Sequence, residues 1–339
     1  PCGHQAFIVG SVETGNELVL IGYNTQLAEY GDVQLPSGTK EALNGPQSDD
    51  WHAAYQRDLA AKLANNTFSY VRRPTNKRVV KTKVAHALKR DVITNAIDEL
   101  RARWVGMGFL QGPGDFNATY CATPSATSCR LFLCIVLRLG LSLAQGDVTK
   151  AFTLNPIDVE LYCEQMPGME VAGNFPGATI QNTVCLMHKC LEGLKQAGNV
   201  WQTTHTEFLT TVKLLSHFTF KQSEIEPCIF VMHCSKGIML ILVWVDDILV
   251  AFSCQLLYDT FLTAYSKRFP SKHKPGCSKF AGLSIDYQPR QSLSIHQHPH
   301  IELAYEKFVA DKVAARRSSA IHRLAVADKS SPHHYSTLA

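Results

Sequence analysis

The chain has no apolar run long enough to cross a bilayer. The longest uninterrupted one, Ile238 to Val245, is less than half of the roughly 20 residues a spanning helix needs. The first residues, PCGHQAF, carry neither the basic start nor the apolar stretch of a secretory signal. No membrane partner is expected, and the expected location is intracellular. A strong charge imbalance is missing too: a net charge of +4 over 339 residues neither demands nor opposes a polyanionic partner. There is no Cys-x-x-Cys among the eleven cysteines, which are spread along the chain, mostly in apolar settings such as RLFLCIVL. That distribution points away from a disulfide scaffold and toward free core thiols in a reducing compartment. No internal repeat is visible, and an opening Pro without Met suggests a piece of something longer.

The remaining composition is ordinary. Hydrophobic residues make up 45% and charged residues 18%, enough for a sizeable core in two or three domains or one multi-lobed one. Residues 1 to about 40 read as an irregular lead-in. SDDWHAAYQRDLAAKLANNT reads as a helix with a Ser/Asp cap, its apolar face formed by Trp51, Ala54, Tyr55, Leu59 and Leu63. Residues 77 to 109 are basic and strand-like. An apolar helix follows from about Ser128 to Leu141, then a strand, SLAQGDV. LMHKCLEGLKQAGNVWQTTHTEFLTTV reads as one long helix with Trp201, Phe208 and Val212 on a face. Residues 255 to 269 read as another helix. KFAGLSIDYQPRQSLSIHQ reads as a hairpin turning at Pro-Arg-Gln. The tail, about 311 to 339, is polar, His-rich and without periodicity.

One stretch is out of character. LILVWVDDILVAF, residues 240 to 252, sets Asp246 and Asp247 inside the most apolar part of the chain. Asp is almost never buried without a partner or a metal. Two carboxylates about 4 Å apart repel by roughly 4 kcal/mol at an effective dielectric near 20. The β-branched flanks read as two short buried strands, with both aspartates at the tip of a tight hairpin facing a cleft. An Asx-type turn that merely uses its aspartates is the alternative. A second acid, Asp147 in QGDVTKAF, stands directly after a predicted strand. An Asp at a strand end and an Asp pair at a hairpin tip are the ligands a two-metal phosphoryl-transfer site requires, provided that Asp147 lies within about 8 Å of Asp246.

Lys81, Lys83, Lys89, Arg90, Arg101, Arg103 and Lys195 are available to meet a triphosphate, although a solvated strand face accounts for any one of them. HQHPH (His296, His298, His300) has a spacing that would align three imidazoles on one face of a strand. CLMHKC (Cys185, His188, Cys190) also resembles a ligand set. Neither has a second half at metal-site spacing, so no metal is assigned to them.

Motif order then becomes informative. LAQGDVTKAFTLNPIDVELYCEQMPGMEV, LEGLKQAGNVW, EPCIFV and ILVWVDDILVAF resemble, in sequence order, the reverse transcriptase of copia-type LTR retrotransposons. That family's patterns are DVxxAF, YGLKQAPRxW, DPCLYV and YVDD. RARWVGMGFLQGPGDFNATYCATPSATSCR, EALNGPQSDDWHAAYQRDL and FAGLSI…SLSIHQHPHIELAYEKF resemble its flanking blocks, so the likeness covers about residues 41 to 310. The resemblance implies an α+β, right-hand polymerase with an antiparallel palm sheet flanked by helices. Fingers and palm would occupy about 41–265 and a thumb-like part about 266–310. It implies that Asp147 and Asp246 are the main ligands of two Mg²⁺ ions and that Asp247 completes the cluster. Arg101 and Arg103 would reach the incoming triphosphate, Gln196 would line the nucleotide pocket, and Phe152 would lie under the sugar. Trp244 would contact the primer. The implied partners are an RNA or DNA template with its primer, dNTPs, and the RNase H and integrase domains of the same polyprotein, whose motifs are absent from this chain. The implied setting is a cytoplasmic virus-like particle or the nucleus.

The chain departs from the family pattern at several positions. Trp244 and Glu192 replace tyrosines, Gly198-Asn199 replace Pro-Arg, Val84-Ala85 replace a Trp-Val pair, and Ala122 replaces a Pro. These changes leave the three acids intact. They also fit a catalytically decayed relic with the same fold that at most binds nucleic acid. A non-polymerase scaffold whose Asp pair is only a turn is the remaining alternative.

Overall fold

The computed structural model describes residues 35–90, 97–215 and 217–305. The expected lead-in lies outside these residues up to position 34, and the tail of 311–339 lies outside them entirely. Helices α1 (Thr39–Asn44) and α2 (Ser48–Ala64) come first, then β1 (Phe68–Arg72), β2 (Val79–Val80), β3 (Thr82–Arg90) and β4 (Ile97–Gly106). Next are α3 (Ala126–Leu139), β5 (Ser142–Val148), β6 (Tyr162–Cys163), β7 (Thr183–Met187) and α4 (Ala197–Thr211). A meander of β8 (Lys221–Gln222), β9 (Ile229–Cys234), β10 (Gly237–Trp244) and β11 (Asp247–Phe252) leads into α5 (Gln255–Arg268). The described chain ends with β12 (Ser271–Pro275), β13 (Lys279–Phe280), β14 (Leu283–Gln288), β15 (Ser292–His296) and α6 (His298–Tyr305).

The organising element is a six-stranded sheet in the order β12-β5-β11-β10-β9-β8, antiparallel throughout. All six residues of β11 are buried, which explains why its sequence shows no alternation. Ile248, Val250 and Phe252 pack with Trp201 and Leu209 of α4 and Phe261 and Tyr265 of α5. Leu249 and Ala251 point the other way, onto Phe132, Leu133 and Val136 of α3 and Ile285 of β14. Successive side chains of a strand face opposite sides, so covering both faces requires an apolar residue at every position. A third core joins Trp51 and Tyr55 of α2 to Phe68, Trp104 and Met187. It lies beneath the sheet β1-β7-β6-β2 and the two-stranded ribbon β3-β4. Among the described residues no helix is long and apolar enough to cross a membrane.

Several expectations from sequence change in the folded chain. The long helix expected from Leu186 to Val212 starts only at Ala197, because Thr183–Met187 is a strand and a turn follows it. Gly193 forces that turn: its φ is +84°, and a Cβ there would lie 2.4 Å from the Gly106 carbonyl oxygen. Helix α2 forms as expected, but its N-cap is Gln47 with no side-chain bond, so the Ser/Asp cap is not made. Leu63, expected on its apolar face, is 46% exposed, and Lys62 beside it is buried instead. Helix α3 begins and ends two residues before the expected bounds, held by the Ser125 hydroxyl accepting from the Ser128 amide and stopped at left-handed Gly140. Its outward stripe carries Leu131, Ile135 and Leu139, together with Cys134, the cysteine of RLFLCIVL, which is exposed rather than a core thiol. The cysteines among the described residues are free. The hairpin turning at Pro289-Arg290-Gln291 is present, with Arg290 left-handed and Gln288 opposite Ser292. The three histidines of HQHPH do not share a strand: His296 ends β15 and His298 opens α6. Pro299 suits a first helical turn and cannot donate to a strand ladder.

Candidate active site

Strand β5 forms where expected, over Ser142–Val148, and lies between β12 and β11. In the β5–β11 ladder Asp147 stands directly opposite Asp247, and Gly146 opposite Ile248. Directly opposed residues have Cα atoms roughly 4.5–5.5 Å apart. A Cβ on Gly146 would come within 2.7 Å of the His273 ring and 2.8 Å of Ile248, so a side chain there would force these neighbours beside Asp147 to shift. Strands β10 and β11 are joined by the two-residue turn Val245–Asp246, and Trp244 pairs with Asp247 across it. Val245 has φ +55°, a left-handed conformation that β-branched residues rarely adopt. The Val148 amide donates to the Asp246 carbonyl at 2.9 Å, tying the turn to the strand that carries Asp147.

Three acidic residues therefore lie at one end of the sheet, contributed by segments about 100 residues apart. One expectation needs correcting: Asp246 is in the turn, but Asp247 is the first residue of β11 and only 2% exposed. Burial pushes the Asp247 carboxyl up to about 7, with the charges of Asp246 and then Asp147 adding to the rise and Lys274 opposing it. By the pleat, Asp147 and Asp247 share the face of Leu143 and Leu249. Lys272 of β12 pairs with Asp147, and Lys274 with Gln145. Neither lysine was among the basic residues singled out from sequence. The only hint was their spacing of two in SKHKP, which shows a strand and not what lies beside it.

Among the described residues no group of three His, Cys, Asp or Glu side chains forms a metal cage on its own. Mg²⁺ does not need one: it retains several waters and is held by one or two carboxylates together with substrate phosphates. A cluster of hard anionic oxygens in which burial and like charge raise an acid to about 7 fits such a cation chemically.

The other residues singled out from sequence occupy distinct places. Trp244, half-buried at the end of β10, packs against the α3-side core. Phe152 lies on a single helical turn, Ala151–Leu154, half-buried where two of the cores meet. Gln196, immediately before α4, is fully buried. Its Nε2 donates to the Asp115 carbonyl at 3.0 Å and its Oε1 accepts from Gln111 Nε2 at 3.0 Å, so both ends of the amide are used inside the protein. Lys195 donates to the Gln111 carbonyl and lies 5.1 Å over the Phe116 ring. Arg101 and Arg103 share the outward face of β4, whose other face buries Ala102 and Trp104. Arg101 pairs with Glu99 at 3.1 Å. Lys81, Lys83 and Lys89 are exposed, with Lys83 and Lys89 on the adjoining β3. Glu192, one of the departures from the family pattern, is 3.6 Å from buried Lys62, which also contacts Asp58 at 2.7 Å.

Residues 65–316, well over half of the chain and including all three acids, match the family described as reverse transcriptase (RNA-dependent DNA polymerase). The chain is 28% identical over 288 residues to the Retrovirus-related Pol polyprotein from transposon TNT 1-94 of Nicotiana tabacum, which covers 84% of this chain and 21% of that protein. It is 28% identical over 262 residues to the corresponding polyprotein from transposon RE2 of Arabidopsis thaliana, covering 77% of this chain and 17% of that protein. The chain thus spans about a fifth of the length of the curated relatives it matches. A solved structure of a foamy viral protease-reverse transcriptase in complex with ds DNA overlaps with a TM-score of 0.36 at 12% identity. It covers 74% of this chain and 36% of that chain, an overlap too slight to carry weight. With an antiparallel palm sheet flanked by helices and its acids in the expected order, the chain belongs to the reverse transcriptase (RNA-dependent DNA polymerase) family, as a copia-type domain with the α+β right-hand polymerase fold.

Proposed function

We propose that this domain is an RNA-directed DNA polymerase that extends a primer on an RNA or DNA template. The observation that carries this reading is the register that sets Asp147 opposite Asp247 beside the turn containing Asp246. In the reaction, the primer 3′-hydroxyl gives up its proton to solvent as its oxygen bonds to the α-phosphorus of a dNTP, the bond to the β-phosphate breaks, and pyrophosphate leaves with the pair of electrons. Asp147 and Asp246 would hold Mg²⁺, with Asp247 completing the cluster; two such ions, when bound, acidify the attacking hydroxyl and stabilise charge on the attacking and leaving oxygens.

The protein's own contribution is placement. The β5–β11 ladder fixes the acids before substrate arrives, so little reorganisation is needed when charge develops. The outward face of the β3–β4 ribbon, with Lys83, Lys89, Arg101 and Arg103, would meet triphosphate and template phosphates without reading sequence. Gln196 would shape the nucleotide pocket through the loop at Asp115 that it holds. Phe152 would lie under the sugar and Trp244 would contact the primer. Fingers and palm would span about 41–265 and the thumb-like part about 266–310, with Ser271–Pro275 lending an edge strand to the palm sheet. The RNase H and integrase domains of the same polyprotein would be its covalent partners.

Primer extension on poly(rA)/oligo(dT) with Mg²⁺ tests the proposal. Asp147→Asn or Asp246→Asn should abolish extension while leaving primer–template binding largely intact, because each removes a hard anionic ligand and keeps the shape. Retention of more than about a tenth of the activity would contradict the assignment, since losing a metal ligand should cost several kcal/mol. A wild-type chain that binds primer–template and never extends it would be the decayed relic.

A further inference from the structure

We propose that Trp201 of α4 is a positioning residue for the aspartate turn: its indole N–H holds the carbonyl of strained Val245 and thereby fixes the direction of Asp246. The inference rests on the reading of Asp147 and Asp246 as the reactive acids. From sequence, Trp201 is an apolar residue on a helix face and the last residue of LEGLKQAGNVW, and neither gives its N–H a partner. In the folded protein its Nε1 donates to the Val245 carbonyl oxygen at 2.7 Å. Trp has a single polar hydrogen, and this one is used on the only left-handed residue of the turn.

The indole is held from both sides. It is 1% exposed, stacks on His205 with ring centres 4.9 Å apart, and meets the edge of Phe269 at 5.2 Å. His205 is itself fixed through Nε2 to the Tyr265 hydroxyl at 2.8 Å, and both groups are buried. The donor is therefore anchored to α4 and α5 and does not swing with the turn. The next carbonyl along the turn, that of Asp246, accepts from Val148 of β5. Consecutive carbonyls are thus gripped by two different elements, one by helix α4 and one by the strand that carries Asp147. A β-branched residue stays left-handed only where its surroundings over-determine it, and strain of this kind gathers at functional turns. Without the indole donor, Val245 is free to return to negative φ. That rotates the Val245–Asp246 peptide and turns the Asp246 carboxylate away from Asp147.

Two readouts test this. Trp201→Phe removes the donor and retains most of the apolar volume. Replacing Trp201 with benzothienylalanine keeps the bicyclic shape and removes only the N–H, which guards against a phenylalanine variant that fails to fold. In metal-free protein, hydrogen exchange of the peptide spanning residues 244–248 should accelerate tenfold or more, while residues 239–243 of β10 keep their protection. In primer extension, kcat should fall at least tenfold with the dNTP KM within threefold. Adding Val245→Gly, which tolerates positive φ without a clamp, should recover part of both. Unchanged exchange at the turn, or acceleration spread evenly through the sheet, would overturn the proposal and leave Trp201 a core residue. If the wild-type chain never extends a primer, the polymerase reading fails, and the exchange measurement still decides whether Trp201 clamps the turn.

Discussion

Asp247 offers a measurement that needs no substrate. Its carboxyl lies 2% exposed at the start of β11, opposite Asp147 and next to Asp246. Burial, the Asp246 charge and the Asp147 charge together raise it from 3.8 to about 7. At about 1.4 kcal/mol for each tenfold change, that rise corresponds to about 4 kcal/mol. Because the folded value is the higher one, the native state binds this proton more tightly than the unfolded chain does. The associated stability is fully present below pH 3.8 and is lost progressively as pH rises through about 7. Asp247→Asn removes the titration and keeps the shape. The expected outcome is that the variant gains on the wild type by about 2–3 kcal/mol between pH 5 and pH 8, read by urea denaturation in the presence of EDTA. Taking the difference between variant and wild type cancels the titrating groups that do not interact with Asp247, including His86 and His205, whose burial lowers them to about 4 and about 3. A stability gap that stays constant or shrinks over that range would show that Asp247 is ionised in the free protein and that the acids do not crowd one another.

Two further outcomes follow from other sites. Phe152→Val should preserve most dNTP incorporation and raise rNTP incorporation tenfold or more, because a ring under the sugar excludes a 2′-hydroxyl by overlap. If selectivity is unchanged and stability falls by roughly 2–4 kcal/mol, Phe152 is only the half-buried core aromatic that its packing between two clusters also allows. Lys62→Met should destabilise the fold by about 3–5 kcal/mol, since it leaves the carboxylates of Asp58 and Glu192 without the buried cation they share. In the Glu192→Leu background the same substitution should cost less, a non-additivity measurable in a double-mutant cycle. Additive costs would show that Glu192 and Lys62 do not interact.

Much of this protein is set by local sequence. The strand SLAQGDV, the hairpin around Val245–Asp246, α5 and the turn at Pro289-Arg290-Gln291 follow from periodicity and turn chemistry acting over a few residues. The ordered blocks from EALNGPQSDD to SLSIHQ also revealed the family, because the acids and the turns around them are chemically constrained wherever the site is built. Tertiary structure decided what depends on partners far along the chain. Asp147 and Asp247 stand a hundred positions apart in the sequence, and only the β5–β11 register brings their strands side by side. Whether a residue is covered depends on the neighbour a face finds. Cys134 in an apolar run is exposed because nothing described packs on that side of α3, and Lys62 is buried because Asp58 and Glu192 lie over it. The start of α4 was fixed by the approach of Gly193 to Gly106, across more than 80 residues, which no window on the sequence contains. The same is true of the Trp201 indole: an apolar pattern identifies a core side chain, but the direction of its single N–H is a property of the assembled fold.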